Sequence, residues 1–163
     1  AARLLLYSLR KQIFRRLWDH PHIYTHVKKC VDLGVYDGEI LNWYDKKDFD
    51  RMENWVTHER DYDFTYAGLR QVIDKYLVQD RSTNEVFETP QFMYMMIAAT
   101  LFAKYPKNKR MSYVKKYYDA VSKFKINIDI LDSKRHWVAV STHDGEDIFC
   151  LRTHLLLLSL IHI

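Results

Sequence analysis

Residues 75–106 read KYLVQDRSTNEVFETPQFMYMMIAATLFAKYP, and this stretch decides the fold. Its first part is a ribbon. Tyr76, Leu77, Val78 and Gln79 are strand-like, Asp80 to Asn84 carry turn chemistry, and Glu85 to Glu88 resume a half-buried strand pattern. Thr89-Pro90 then reads as an N-cap followed by proline at the first helical position, a sharp helix start. From Phe92 to Ala103 the helix has almost no polar face. A helix apolar on every side needs neighbours on every side, so it reads as the central post of a helical bundle. The run falls short of the roughly 20 residues that cross a bilayer. A lone two-stranded ribbon is marginal in water and must pack on something, and the adjoining helix supplies that surface.

Working outward, residues 3–18 repeat apolar positions at helical spacing, with Leu5, Leu6, Leu9, Ile13 and Leu17 on one side and Lys11 roughly opposite. The sequence His20-Pro21-His22 is expected to stop that helix. Ile23, Tyr24, Val27 and Val31 mark a second helix that Gly34 ends. Residues 36–44 give a short third element. Asp45 caps a fourth that faces Phe49, Met52 and Val56 inward, and residues 64–76 give a fifth. A last helix is expected over Lys107 to Phe124. Met111, Val114, Tyr118, Val121 and Phe124 face in, and Lys109, Arg110, Lys115, Lys116 and Lys123 lie outside. Four glycines and three prolines are too few for a many-stranded sandwich. The fold class is therefore mainly α, a helical bundle with one β-hairpin and an irregular C-terminal tail.

The 163 residues suffice for one domain with a real core. A net charge of +4 is a mild surplus that does not demand a nucleic-acid partner. Cys30 and Cys150 are too few and too far apart for a disulfide framework, which favours a reducing, cytoplasmic setting. No signal peptide is read, and no membrane partner is expected. The first residues, AARLLLYSLR, lack an initiator Met and already carry helical rhythm, and LLLLSLIHI follows no capped element, so both ends read as cuts.

Chemistry-bearing residues are sparse. His20, His22 and His26 lack a matching cysteine or carboxylate set, which favours structural or solvated roles over a metal site. Residues 57–64, THERDYDF, crowd His58, Glu59, Arg60, Asp61 and Asp63 together. Paired carboxylates serve acid–base work when their environments differ, but a salt-bridged corner between helices is the preferred reading. Cys30 reads as a small core residue. The basic and aromatic mixture of residues 108–125 suits a nucleic-acid groove, yet its aromatics fall on the core stripe. Lys11 is a compact point charge of the kind that suits phosphate, and on its own it reads as solvated.

Three stretches carry a family resemblance. AARLLLYSLRK (1–11), YDFTYAGLRQVIDKYLVQDRSTNEVFETPQFMYMMIAATLFAKYP (62–106) and RMSYVKKYYDAVSKFKINI (110–128) resemble, in order, the large (alpha) subunit of class I ribonucleotide reductase, ribonucleoside-diphosphate reductase. The pattern KYLVQ-R-T-E---E--QF-Y is specific to it. The resemblance implies that residues 1–128 are the N-terminal helical domain of that chain, between a regulatory ATP-cone and a barrel holding the active site. It implies a parent that reduces ribonucleoside diphosphates to deoxyribonucleotides by thiyl-radical chemistry, with a radical-generating small subunit, thioredoxin or glutaredoxin, and an alpha homodimer. ATP and dATP, with Mg, act there as allosteric effectors. The lysine of the family's LRK reaches that nucleotide, and the position is Lys11 here.

No catalytic residue carries over. Where the family continues with Pro-Thr-Pro, this chain reads Asp129-Ile130-Leu131, so the substrate-touching threonine falls on Ile130. The surroundings of Cys150 do not match those of the family's redox cysteine, and no catalytic cysteine is expected in this segment. Residues 129–163 therefore read as a divergent tail. LSLIHI is one translation of a transposon end used to fragment DNA, which would make part of that tail an artefact. A stand-alone helical interaction module is the alternative. A basic nucleic-acid binder is a third reading, and weak or no nucleic-acid binding is expected.

Overall fold

A computed structural model describes residues 1–16, 19–80 and 82–125, and the backbone of strands at 127–132, 137–141 and 147–151. In chain order the elements are α1 (Ala2–Phe14), α2 (Ile23–Asp32), α3 (Glu39–Trp43), α4 (Lys46–Trp55), a 3-10 helix (His58–Asp63), α5 (Tyr66–Lys75), β1 (Gln79–Asp80), β2 (Glu85–Val86), α6 (Pro90–Leu101), α7 (Lys107–Ser122), β3 (Asn127–Asp132), β4 (Trp137–Ser141) and β5 (Asp147–Leu151). They fall into two compact units, Ala1–Met95 and Met96–Ile163, divided within α6.

In the first unit α1 lies against α5, the 3-10 helix and β2, and α2 lies against α4. Most of the expected inner residues are buried, while Leu5, Tyr24, Val31 and Val56 are half-buried. Leu6, Leu9 and Ile13 are buried on α1, and Ile23, Val27 and Cys30 on α2. Asp45 caps α4, its Oδ1 accepting from the Asp48 amide at 2.9 Å, and Thr65 caps α5 through the Gly68 amide at 3.1 Å. Helix α2 ends in a Schellman arrangement. The Gly34 amide donates to the Val31 carbonyl at 2.9 Å and the Val35 amide to the Cys30 carbonyl at 3.0 Å, with Gly34 at φ +71°. The hairpin pairs Gln79 with Val86 and Asp80 with Glu85, and Asp80 Oδ1 closes its turn by accepting from Ser82 N at 2.8 Å.

Helix α6 is buried nearly all round. Phe92, Met95, Ala98 and Ala99 are each 0% exposed, and only Ile97 and Thr100 are less than buried. The expectation drawn from its unbroken apolar sequence holds. Its cap does not. Thr89 stands at the N-terminus, but its Oγ1 is buried without a hydrogen-bond partner among the described residues. The Thr89 carbonyl still accepts from Met93 N at 2.9 Å.

Three other expectations need correction. Helix α1 ends at Phe14, well before Pro21, because Arg15 takes a left-handed φ of 61° and donates its amide to the Lys11 carbonyl. The chain then returns to set His20 edge-on against Phe14, with centroids 5.4 Å apart. Leu17, expected on the inner stripe, lies outside the described residues. On α7 in the second unit, Met111, Val114, Tyr118 and Val121 are buried as expected, but Phe124 is 46% exposed and Arg110 is buried. Phe124 follows the helix end with φ 56°, which takes it off the helical face. Arg110 precedes Val114, Tyr117, Tyr118 and Val121 at helical spacing, so geometry places it inside despite its charge. There its Nη1 donates to the Ala103 carbonyl at 3.4 Å, in the turn that follows α6. The tail is not simply irregular, for β3, β4 and β5 form an antiparallel meander in the order β3-β4-β5. Residues 152–163, including LSLIHI, lie outside the described residues.

Candidate functional site

The polar groups of the first unit are concentrated along a buried seam. Its centre is Arg10, which follows Leu6 and Leu9 on the inner side of α1 and is 3% exposed. Arg10 Nη2 lies 3.6 Å from Asp61 Oδ2 and donates to the His58 carbonyl at 2.9 Å, while Nη1 donates to the Tyr62 hydroxyl at 3.2 Å. Asp61 Oδ1 accepts from Gln91 Nε2 at 2.9 Å. Helix α1, the 3-10 helix and the start of α6 thus share one ionic chain. Burial outweighs Gln91 and Arg10 in setting the Asp61 carboxyl, which is pushed up to about 7. The salt-bridged corner expected of residues 57–64 exists, and Asp61 draws its partner from α1. Glu59 and Asp63 stay exposed.

Beside this chain the imidazoles stack. The His20 and His58 rings lie 3.8 Å apart at 17°, and His58 also meets the edge of Phe92. His26 stacks on Phe92 with centroids 4.6 Å apart, and its Nε2 is 3.6 Å from Cys30 Sγ. Burial holds all three histidines neutral, lowering His58 to about 3 and His20 and His26 to about 4. Burial likewise raises the Cys30 thiol to about 12, which makes it an inert core residue, as its place on α2 implies. His22 lies elsewhere. Its Nδ1 accepts from the Tyr24 amide at 3.2 Å, and its Nε2 is 3.3 Å from Asp50 Oδ1. The structure does not bring His20, His22 and His26 to one point, and no group of three potential metal ligands occurs among the described residues.

A second buried carboxylate holds the hairpin base. Glu88 is 0% exposed and accepts from the Val78 amide at 2.8 Å and from the Tyr36 hydroxyl. Sequence reading missed Glu88, Arg10, His26 and Gln91 as core members, since each is polar by type. Position is the signal that finds three of them. Arg10 is four residues past Leu6 on α1, His26 completes the 23-26-27-30 stripe of α2, and Glu88 is two residues past Val86 in the alternation the sequence carries from Glu85 to Glu88.

Lys11 sits in the last turn of α1 and is exposed, without an ion pair among the described residues. Its place near the helix C-terminus suits a cation. Cys150 and Ile130 lie on β5 and β3.

These features define a class first, a mainly α segment whose buried polar groups pair in part with one another and whose surface carries Lys11 without an ion pair among the described residues. Residues 62–128 match the family described as ribonucleotide reductase, all-alpha domain. The ribonucleoside-diphosphate reductase 1 subunit alpha of Salmonella typhimurium is 46% identical over 128 residues, 78% of this chain and 17% of the relative. That of Escherichia coli is 44% identical over the same shares, and the subunit alpha of Enterobacteria phage T4 is 38% identical. The chain belongs to the family of ribonucleotide reductase large (alpha) subunits. It spans about 17% of the length of the curated relatives it matches.

Proposed function

We propose that this segment is the N-terminal helical scaffold of a ribonucleoside-diphosphate reductase, with residues 1–128 as the domain and 129–163 as a divergent tail. The parent enzyme reduces ribonucleoside diphosphates to deoxyribonucleotides for DNA synthesis. It works in the cytoplasm with a radical-generating small subunit and a thioredoxin or glutaredoxin, as an alpha homodimer, and the catalytic cysteines lie outside this segment. The observation that carries the reading is the 46% identity over 128 residues. Two structural facts accompany it, the hairpin that leads into the buried rod α6 and the absence, among the described residues, of any helix long and apolar enough to cross a membrane.

Within the segment Lys11 is the residue proposed to touch an effector. An exposed ammonium in a final helical turn, with no carboxylate of its own among the described residues, is available to the phosphates of ATP or dATP carried with Mg. The test is a chimera, the full-length Salmonella typhimurium subunit alpha with its matching stretch replaced by residues 1–128 of this chain. Lys11→Ala in the chimera is expected to weaken the response of turnover to ATP and dATP and leave basal turnover intact. An unaltered nucleotide response in Lys11→Ala would overturn the assignment.

A further inference from the structure

Arg10 and Lys11 are neighbours in sequence with opposite fates. Lys11 is exposed, while Arg10 is held under the 3-10 helix by the Asp61 carboxylate, the His58 carbonyl and the Tyr62 hydroxyl. Asp61 in turn is held by Gln91, the second residue of α6, which is 0% exposed. We propose that the Arg10–Asp61–Gln91 chain couples occupancy of the Lys11 site on α1 to the N-terminal turn of α6. The inference rests on the reading of Lys11 as an effector contact.

The physical ground is the lack of slack in the chain. Apolar surfaces slide over one another with small changes in energy, because dispersion and burial are non-directional. Hydrogen bonds to a buried charge are directional, and leaving one unmade exposes the full desolvation penalty of the group. The Arg10 and Asp61 side chains are 4% and 0% exposed, so water cannot replace either partner. A displacement of α1 that re-aims Lys11 therefore pulls on the His58 carbonyl and the Tyr62 hydroxyl, to which Arg10 donates, and so on the 3-10 helix that carries Asp61, and Asp61 either takes Gln91 along or abandons it. Arg10, Asp61 and Gln91 are positioning residues, since none of them is placed against the nucleotide.

The experiment is amide hydrogen exchange on the chimera with and without ATP, joined to its turnover of cytidine diphosphate. ATP is expected to slow exchange over residues 92–95 of α6 as well as over α1. Gln91→Met should keep the ATP concentration for half-effect within roughly twofold of the parent. It should also lose the slowing at residues 92–95 and cut the ATP-dependent change in turnover at least ~3-fold, within the usual range of coupling strengths. Asp61→Asn, which keeps the size of the side chain, should do the same. Protection that stops within α1, or a full ATP response in Gln91→Met, overturns the coupling. A response that vanishes in Lys11→Ala but survives Gln91→Met sinks the coupling alone. A response untouched by Lys11→Ala sinks the effector reading, and the coupling with it.

Discussion

Arg10 and Asp61 show how a charged pair is tolerated inside a small helical unit. Neither could be buried alone, and removing one partner strands the other without water. Arg10→Met is expected to lower stability in urea by about 3 kcal/mol, and the double change Arg10→Met with Asp61→Leu should recover most of that loss, because both charges then leave together. The histidines give a pH prediction of definite sign. His20, His26 and His58 are depressed below their ordinary value, so each contributes stability above about 6.5 that is lost as pH falls toward about 4 or 3. Asp61 is raised, so its contribution is present at low pH and lost as pH rises through about 7. Three groups oppose one, and stability should fall between pH 6.5 and 4. Denaturant midpoints across that range should show a shallower fall for His26→Leu. Of this seam only the salt-bridged corner at residues 57–64 was legible in the sequence, and its partners were not, because they lie 30 to 52 positions away. Periodicity could have flagged His26 and Arg10 as inward-facing, but the identity of a partner across the fold leaves no local trace.

At the scale of elements, legibility follows local physics. The rod α6 was readable because its apolar residues ignore helical phase, and the caps at Asp45 and Gly34 were readable because one side chain or one φ angle decides them. The end of α1 was not, since Arg15 supplies a left-handed residue where glycine would be the natural choice. Charge type misled the reading at Arg110, and assumed helical continuation misled it at Phe124. Two of the left-handed helix ends make a paired prediction. Arg15→Gly should raise stability by about 1 kcal/mol, and Gly34→Ala should lower it by about the same, as measured by thermal unfolding. In α6, Ala98→Leu adds three carbons where the side chain is 0% exposed, and should cost about 2 kcal/mol through overpacking.

At the scale of the molecule, the segment is proposed to act as a support within a longer reductase chain. Its apolar rod and ionic seam explain why it is ordered. The family was legible because residues 62–106 carry a dense pattern in a contiguous block, whereas the role proposed for Lys11 rests on a single exposed side chain. The central claim is that residues 1–128 are a working scaffold for a ribonucleotide reductase. The most direct test is reduction of cytidine diphosphate by the chimera, supplied with the Salmonella typhimurium small subunit and thioredoxin. The account predicts turnover within roughly tenfold of the parent subunit, as expected if the barrel is supported in near-native geometry. A chimera that folds with a cooperative thermal transition, binds the small subunit and yet forms no deoxycytidine diphosphate would contradict it.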